Sequence, residues 1–319
     1  MNIHKTTTVS AILLATLPAL VCHAMAQTTP VFADDFSAAT RTGWYSSGAV
    51  TGDTPTLSWT QNTGLTLNAA SVHAVSYFDP ATVGVGETLS VTVKFNVSGD
   101  TDVASGNFFR LGLYNAGANG HVNVDDHGTN GNKAGSNLGA DGFISYTGYR
   151  ATARFNTGST QLVLNERRTS ASNTLIINDG GNLTTPISST NANTAGTSIV
   201  LTTNQTYTFT LSLHPEDAGN LLISARITGI DKDGNAFDYT ATGSDTASIV
   251  STFDTIAIGL ASGTVQYTLN DVSVVHTTAV PEPATIAAIS GLLVFAAAAL
   301  IRRHTLPTPG KLRTPASRP

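Results

Sequence analysis

The chain has one cysteine, Cys22, and it lies inside an apolar N-terminal stretch. A body without thiols has no disulfide framework and no cysteine nucleophile, so packing and backbone pairing must supply its stability. Charge is also scarce, at 12% of residues against about a quarter in ordinary soluble chains. Lysine is rare, and methionine and tryptophan each occur twice. No stretch of about 11 residues in the body repeats its apolar positions at helical spacing, which argues against a helical body. Residues 27–280 hold 20 acidic and 10 basic side chains. That balance argues against nucleic acid as a partner, because phosphates need a basic footprint.

What the body does contain is two-residue alternation in a background of Thr, Ser, Asn, Gly and Ala. In "TLSVTVKFNVS" (88–98), Leu89, Val91, Val93, Phe95 and Val97 share one face, while Ser90, Thr92, Lys94 and Asn96 share the other. "TYTFTLSLH" (206–214) repeats this through Tyr207, Phe209, Leu211 and Leu213. One packed and one wet face is the signature of antiparallel sheet. Further strands are expected at 56–60, 64–68, 72–78, 107–114, 142–147, 149–155, 161–166, 174–178, 198–202, 221–228, 236–242, 253–260 and 264–276. So many strands exceed one small sheet, and the expected fold is an all-β, two-sheet antiparallel β-sandwich over 27–276. Asp233-Gly234 lies between two apolar-patterned arms and predicts a hairpin. In "VQYTLNDVSVV" the apolar parity shifts between Leu269 and Val272, which predicts a bulge at Asn270-Asp271.

The two ends have a different character. Residues 1–26 have the form of a secretory signal peptide: a weak n-region, an apolar core from Val9 to Val21, and Ala24-Met25-Ala26 as a small-x-small cleavage site. Cys22 would leave with it. Near the other end, 284–301 is eighteen residues without a charge, about 27 Å of helix, just enough for one transmembrane span. Pro281-Glu282-Pro283 closes the linker 277–283 ahead of it, and Arg302-Arg303 opens a basic tail, 302–319, expected on the cytoplasmic side. Signal peptide, Val280-Pro281-Glu282-Pro283, short apolar helix and arginine pair, in that order, resemble the PEP-CTERM sorting signal of Gram-negative bacteria that make exopolysaccharide. That resemblance implies processing by signal peptidase and by an exosortase-type membrane transpeptidase. It also implies a transient inner-membrane hold, then release to the cell surface, extracellular matrix or biofilm. The tail "HTLPTPGKLRTPASRP" is longer than those signals usually carry, and an ordinary uncut anchor is the alternative.

"FADDFSAATRTGWY" and "FDTIAIGLASGTVQYTLNDVSVV", at the two ends of the body, together resemble the first and last strands of concanavalin A-like (laminin G-type) jelly rolls. The resemblance implies chain ends paired in one sheet, and a lectin-like, carbohydrate-binding body. Glycosidases of that fold carry Glu-x-Asp-x-Glu on one strand. That motif is absent here, where the body's glutamates are Glu87, Glu166 and Glu216 alone. No Gly-x-Ser-x-Gly elbow occurs either. No catalytic residues are assigned, and the expected function is non-enzymatic.

Two sets of side chains are candidates for ligand contact. Trp44, Tyr114 and Tyr149 could offer ring faces to sugars. In "NGHVNVDDHGTNGNKAGSNLGADG" (119–142), an extended 121–127 would align His121, Asn123, Asp125 and His127, with Asp126 beside them. His121, Asp125, Asp126 and His127 could then hold Ca²⁺ or a transition metal, although the same residues also suit a polar turn with no cofactor. Arg150 and Arg154 share parity on one strand and read as an exposed face. The expected role is polysaccharide binding at the cell surface, with a structural or adhesive matrix protein as the alternative and a glycoside-active enzyme behind both.

Overall fold

A computed structural model describes residues 26–48, 57–68, 72–101, 107–123, 125, 143, 145–156, 159–168, 175, 185–187, 189–191, 199–261, 265–278 and 291–298. The chain divides into two compact units, Ala26–Ala279 and the terminal segments Met1–Met25 with Val280–Pro319. In the terminal unit, residues 291–298 are helical and expose Leu292, Leu293, Val294 and Phe295. The rest of the expected span 284–301 lies outside the described residues, as do Ala24, Pro281, Glu282, Pro283, Arg302 and Arg303. Among the described residues, no helix is long and apolar enough to cross a membrane. Ala26 is exposed at the start of the body.

The body is an antiparallel two-sheet sandwich. One sheet has nine strands. In spatial order they are β11 (Ser189–Asn191), β14 (Ala236–Asp245), β13 (Asn220–Ile230), β12 (Tyr207–Asp217), β6 (Thr88–Val97), β16 (Tyr267–Thr277), β4 (Gly64–Leu67) and β3 (Leu57–Thr60), with β1 (Thr28–Asp34) also paired to β16. The other sheet has seven strands: β10 (Thr185–Pro186), β9 (Ser159–Arg167), β8 (Thr147–Asn156), β7 (Asn107–Asn115), β15 (Thr252–Ala261), β5 (Val72–Thr82) and β2 (Trp44–Gly48).

Alternation decides which face is buried. On β6, Leu89, Val91, Val93, Phe95 and Val97 are buried between the sheets, and their neighbours are not. The same parity on β12 and β13 buries Phe209, Leu211, Ile223 and Ile227. Opposite them stand Phe109, Leu111 and Leu113 of β7 and Ile256 and Ile258 of β15. An aromatic cluster joins the two sheets: the Phe95 ring lies 4.4 Å from Phe109 and 5.6 Å from both Tyr207 and Tyr267. On the outer face of the nine-stranded sheet, hydroxyls meet across strands, Ser90 with Ser212 at 2.8 Å and Thr92 with Thr210 at 3.1 Å. The charges on that face are paired, Lys94 with Asp271 and Arg226 with Asp238.

The bulge falls where the parity shift placed it, between Leu269 and Asp271. It has a structural consequence. Before it, β16 pairs with β4; after it, Val272–Thr277 pairs with β1. Asn270 ties the junction by donating from its side-chain amide to the Thr63 carbonyl at 2.8 Å. The chain ends of the body do pair, and the Thr278 amide donates to the Gln27 carbonyl.

The Asp233-Gly234 hairpin is present between β13 and β14, with Gly234 at φ 84°. Asp231 holds it by accepting from the amides of Asp233 and Asn235. A Cβ at Gly234 would meet nothing within 4 Å. Gly234→Ala is therefore expected to cost about 1 kcal/mol from backbone strain alone, read as a lowered denaturation midpoint with unchanged m-value.

Two expected strands are not strands. Phe143 and Ser145–Tyr146, within 142–147, form a turn in which the Tyr146 amide donates to the Phe143 carbonyl. Residues 199–202 are irregular, and the Leu201 amide is satisfied by the Thr101 hydroxyl. In both places side chains replace a neighbouring strand as hydrogen-bond partners, which alternation cannot reveal. Of 174–178, only the buried Leu175 is described.

Candidate functional site

The seven-stranded sheet has a second face, and it is unlike any other surface of the body. Its strand registers set His73, Gly259, Arg110, Thr152 and Val163 in one row across β5, β15, β7, β8 and β9. The next row is Val75, Ala257, Gly112, Arg150 and Asn165, and the third is Tyr77, Thr255, Tyr114, Gly148 and Arg167. Phe108, Arg154 and Gln161 extend the face beyond the first row. Small residues at 112, 257 and 259 leave room at the centre. The Tyr114 ring folds into that space, so a Cβ at Gly112 would lie 2.4 Å from it.

Part of this face is roofed by the connection between β7 and β8. Ala116, Val122, Phe143 and Tyr146 join Val75, Tyr114, Leu175 and Ala257 in a second apolar cluster, separate from the main core. Polar contacts fasten the roof. Arg167 donates to the carbonyls of Tyr146 at 2.9 Å and Phe143 at 2.7 Å. The Val122 amide donates to the Tyr77 hydroxyl, and the Tyr146 hydroxyl donates to the Gly120 carbonyl. Arg110, Arg150 and Arg167 are each 1% exposed beneath it. Arg150 donates to Asn165 at 3.2 Å. Its expected exposure is thus corrected: the connection covers the strand face that parity alone would have left wet. Arg154 remains partly open, together with Phe108.

Burial sets the electrostatics. It lowers the Arg167 pKa to about 10, with the nearby Arg150 charge acting in the same direction. His73 is pushed down to about 3, first by burial and then by the charges of Arg167 and Arg110. Neither ring nitrogen of His73 has a hydrogen-bond partner among the described residues. Its ring packs against Phe143 at 5.7 Å. Burial likewise raises the Tyr114 hydroxyl above its ordinary value, the arginines pulling the other way.

The residues singled out from sequence lie as follows. Trp44 is buried on the core side of β2, its ring N–H donating to Asp34 at 2.8 Å. Tyr149 is buried between the sheets, where its hydroxyl donates to Asp245 at 2.8 Å and accepts from the Val250 amide. Tyr114 is buried on the second face just described. All three rings pack, and none is an open platform. His121 stacks on Tyr77 at 4.0 Å and contacts Asp254 at 3.2 Å. Asp125 instead accepts from Arg41 and from the Ser46 amide. These two candidate metal ligands are committed to different partners, while Asp126 and His127 lie outside the described residues. Among the described residues, no three His, Cys, Asp or Glu side chains gather as a metal site.

Sequence reasoning passed over Phe108, Arg110, Arg167 and His73. A signal for three of them was present: in "NFFRLGLYN" and "QLVLNERR", Phe108, Arg110 and Arg167 sit at the parity opposite the apolar residues, as Arg150 and Arg154 do on the strand between. Nothing local marks His73.

The sequence matches no family model, and no curated protein aligns with it. Solved structures that resemble the sandwich include lectins. Peanut lectin overlays with TM-score 0.37 at 11% identity, covering 79% of this chain and 98% of the lectin. The metal-free carbohydrate recognition domain of Emp46p gives 0.40 at 8% identity, covering 76% and 94%. The legume lectin-like domain from Entamoeba histolytica gives 0.37 at 10% identity, covering 75% and 90%. Overlays of this depth establish neither a family nor a ligand.

Proposed function

We propose that this chain is an exported, non-catalytic polysaccharide-binding protein whose ligand lies along the outer face of the seven-stranded sheet. The observation that carries this reading is the partly open end of that face. There the guanidinium groups of Arg154 and Arg110 lie over the half-buried Phe108 ring, 5.4 Å and 5.7 Å from its centre, with the exposed Gln161 next to Arg154. A partly exposed guanidinium stacked on an aromatic ring, beside an exposed amide, presents a flat surface edged by hydrogen-bond donors, which suits the hydroxyls of a pyranose. Strands on both sides hold these groups in place, so little ordering is required when a sugar chain docks.

Affinity electrophoresis of the full chain through a gel containing the producing organism's own exopolysaccharide tests the proposal. Retarded migration is expected, and identical mobility with and without polymer overturns it. The terminal segments bring the body to that ligand in the same proposal: export by the signal peptide, a temporary membrane hold, and cleavage near Pro281-Glu282-Pro283. Mass spectrometry of the cell-surface form is expected to find nothing beyond the linker. Full-length chain persisting in cells that possess an exosortase sinks the sorting half of the reading.

A further inference from the structure

A carboxyl group is buried between the sheets at the end of β9. Glu166 has the parity of Leu162 and Leu164, towards the core, and is 1% exposed. Its Oε2 accepts from the Arg168 guanidinium at 2.7 Å. Its Oε1 is sealed from solvent and has no hydrogen-bond partner among the described residues. An ionised carboxylate can only accept, so an oxygen that meets no donor there is held at a cost.

The groups around it add to that cost. Tyr149, the cross-strand neighbour of Glu166 on β8, donates its hydroxyl to Asp245 at 2.8 Å. Asp245 ends β14 in the other sheet, is 6% exposed and also accepts from the Ala247 amide. Two buried carboxyl groups, one from each sheet, thus stand near a single guanidinium, that of the exposed Arg168. The other strands packed against β9 bring no further charge to them: β10 and β11 contain no ionisable side chain, and Arg226 of β13 pairs with Asp238 on the outer face. Burial raises the Glu166 pKa above the ordinary 4.5; Arg168 opposes the shift and the Asp245 charge reinforces it. Burial also raises the Tyr149 hydroxyl, which stays neutral.

We propose that Glu166 is a proton-operated latch between the sheets: with a proton on Oε1 the seam between β9 and β14 is closed, and when that proton leaves the seam loosens. A neutral carboxyl can donate where the bare oxygen cannot, and its charge no longer repels that of Asp245. The native chain holds this proton more tightly than the unfolded chain. The stabilisation is therefore complete below the ordinary carboxylate range and is lost as the pH rises through the native value. The end of β9 also bears on the covered face, because Arg167, turned the other way, donates to the carbonyls of Tyr146 and Phe143.

Two measurements on the full chain test this. The sequence has four glutamates, Glu87, Glu166, Glu216 and Glu282, so carbon-13 labelling of glutamate carboxyls yields four NMR titrations, and Glu166→Gln identifies one by its loss. That signal is expected to titrate at the highest pH of the four, well after Glu87, which the Gly84 amide holds below its ordinary value. Urea midpoints supply the second measurement. From pH 4 to pH 8, Glu166→Gln is expected to gain stability relative to its parent, and to gain more when both chains also have Arg168→Gln, which removes the group favouring the ionised form. A Glu166 signal that titrates with or before that of Glu87 overturns the latch, as does a Glu166→Gln difference that is the same at both pH values. A parent midpoint raised by Ca²⁺ at pH 8, with Glu166→Gln unresponsive, would assign the carboxyl pair to a cation and overturn it as well.

Discussion

Replacing Phe95 with alanine is expected to lower the unfolding free energy by about 4 kcal/mol, the upper part of the range for deleting a buried aromatic ring. Phe95 is 0% exposed and sits near the C-terminal end of β6, between β12 and β16 in the nine-stranded sheet. Its ring touches rings from both sheets, Phe109 at 4.4 Å and Tyr207 and Tyr267 at 5.6 Å each, and Phe109 stacks in turn on Tyr267 at 5.1 Å. The strands around it are paired on both sides, so the backbone cannot collapse into the space left behind. The cavity term therefore adds to the lost transfer energy. Urea denaturation checks this. A loss under about 1 kcal/mol would mean that the two sheets are not locked together at this cluster.

Acid is expected to destabilise the body through His73, and His73→Leu to remove that part of the effect. The sign follows from the depressed pKa. The unfolded chain binds a proton on His73 near pH 6.5, while the native chain binds one only near pH 3. Between those values the unfolded state carries the extra proton, so unfolding gains about 1.4 kcal/mol per pH unit as the pH falls. From pH 6.5 to pH 4 that amounts to about 3 kcal/mol. Carboxylates titrate in the same range, so the measurement is a difference: unfolding free energies of parent and His73→Leu at pH 7 and pH 4. The parent should lose about 3 kcal/mol more than the variant. At pH 7 the variant should be at least as stable, because two buried ring nitrogens with no hydrogen-bond partner among the described residues are gone. Equal acid losses in the two proteins would place His73 in contact with water.

These two effects separate the jobs of the two cores. Phe95 belongs to the inter-sheet cluster, which any sequence of suitable size and parity could fill. His73 belongs to the face beneath the β7–β8 connection, where polar groups are buried at a cost to stability. A polar group retained against that cost is expected where a surface binds something, since stability and function often conflict at such places.

Much of the sandwich was legible in the order of residues. The apolar parity of 88–97 and 207–213 determines which side faces the core, because a strand sends successive side chains to opposite faces. The shift between Leu269 and Val272 marked the bulge for the same reason, and Gly234 marked its turn because a positive φ suits residues without a Cβ. Parity could not say what lies beyond each face. Arg150 and Arg154 have the same parity, yet Arg150 is buried and Arg154 only partly so, because burial depends on which segments the fold brings over each part of the face. Trp44 and Tyr149 are aromatic in sequence and core in space for a similar reason: burial depends on which strands become neighbours. The grouping of His73 with Arg110 and Phe108 arises from pairings of β5 with β15 and β15 with β7, whose partners are far apart along the chain. Composition determined that the body is β-rich, poor in charge and free of disulfides, whereas the long-range registers alone decided where its few positive charges would meet.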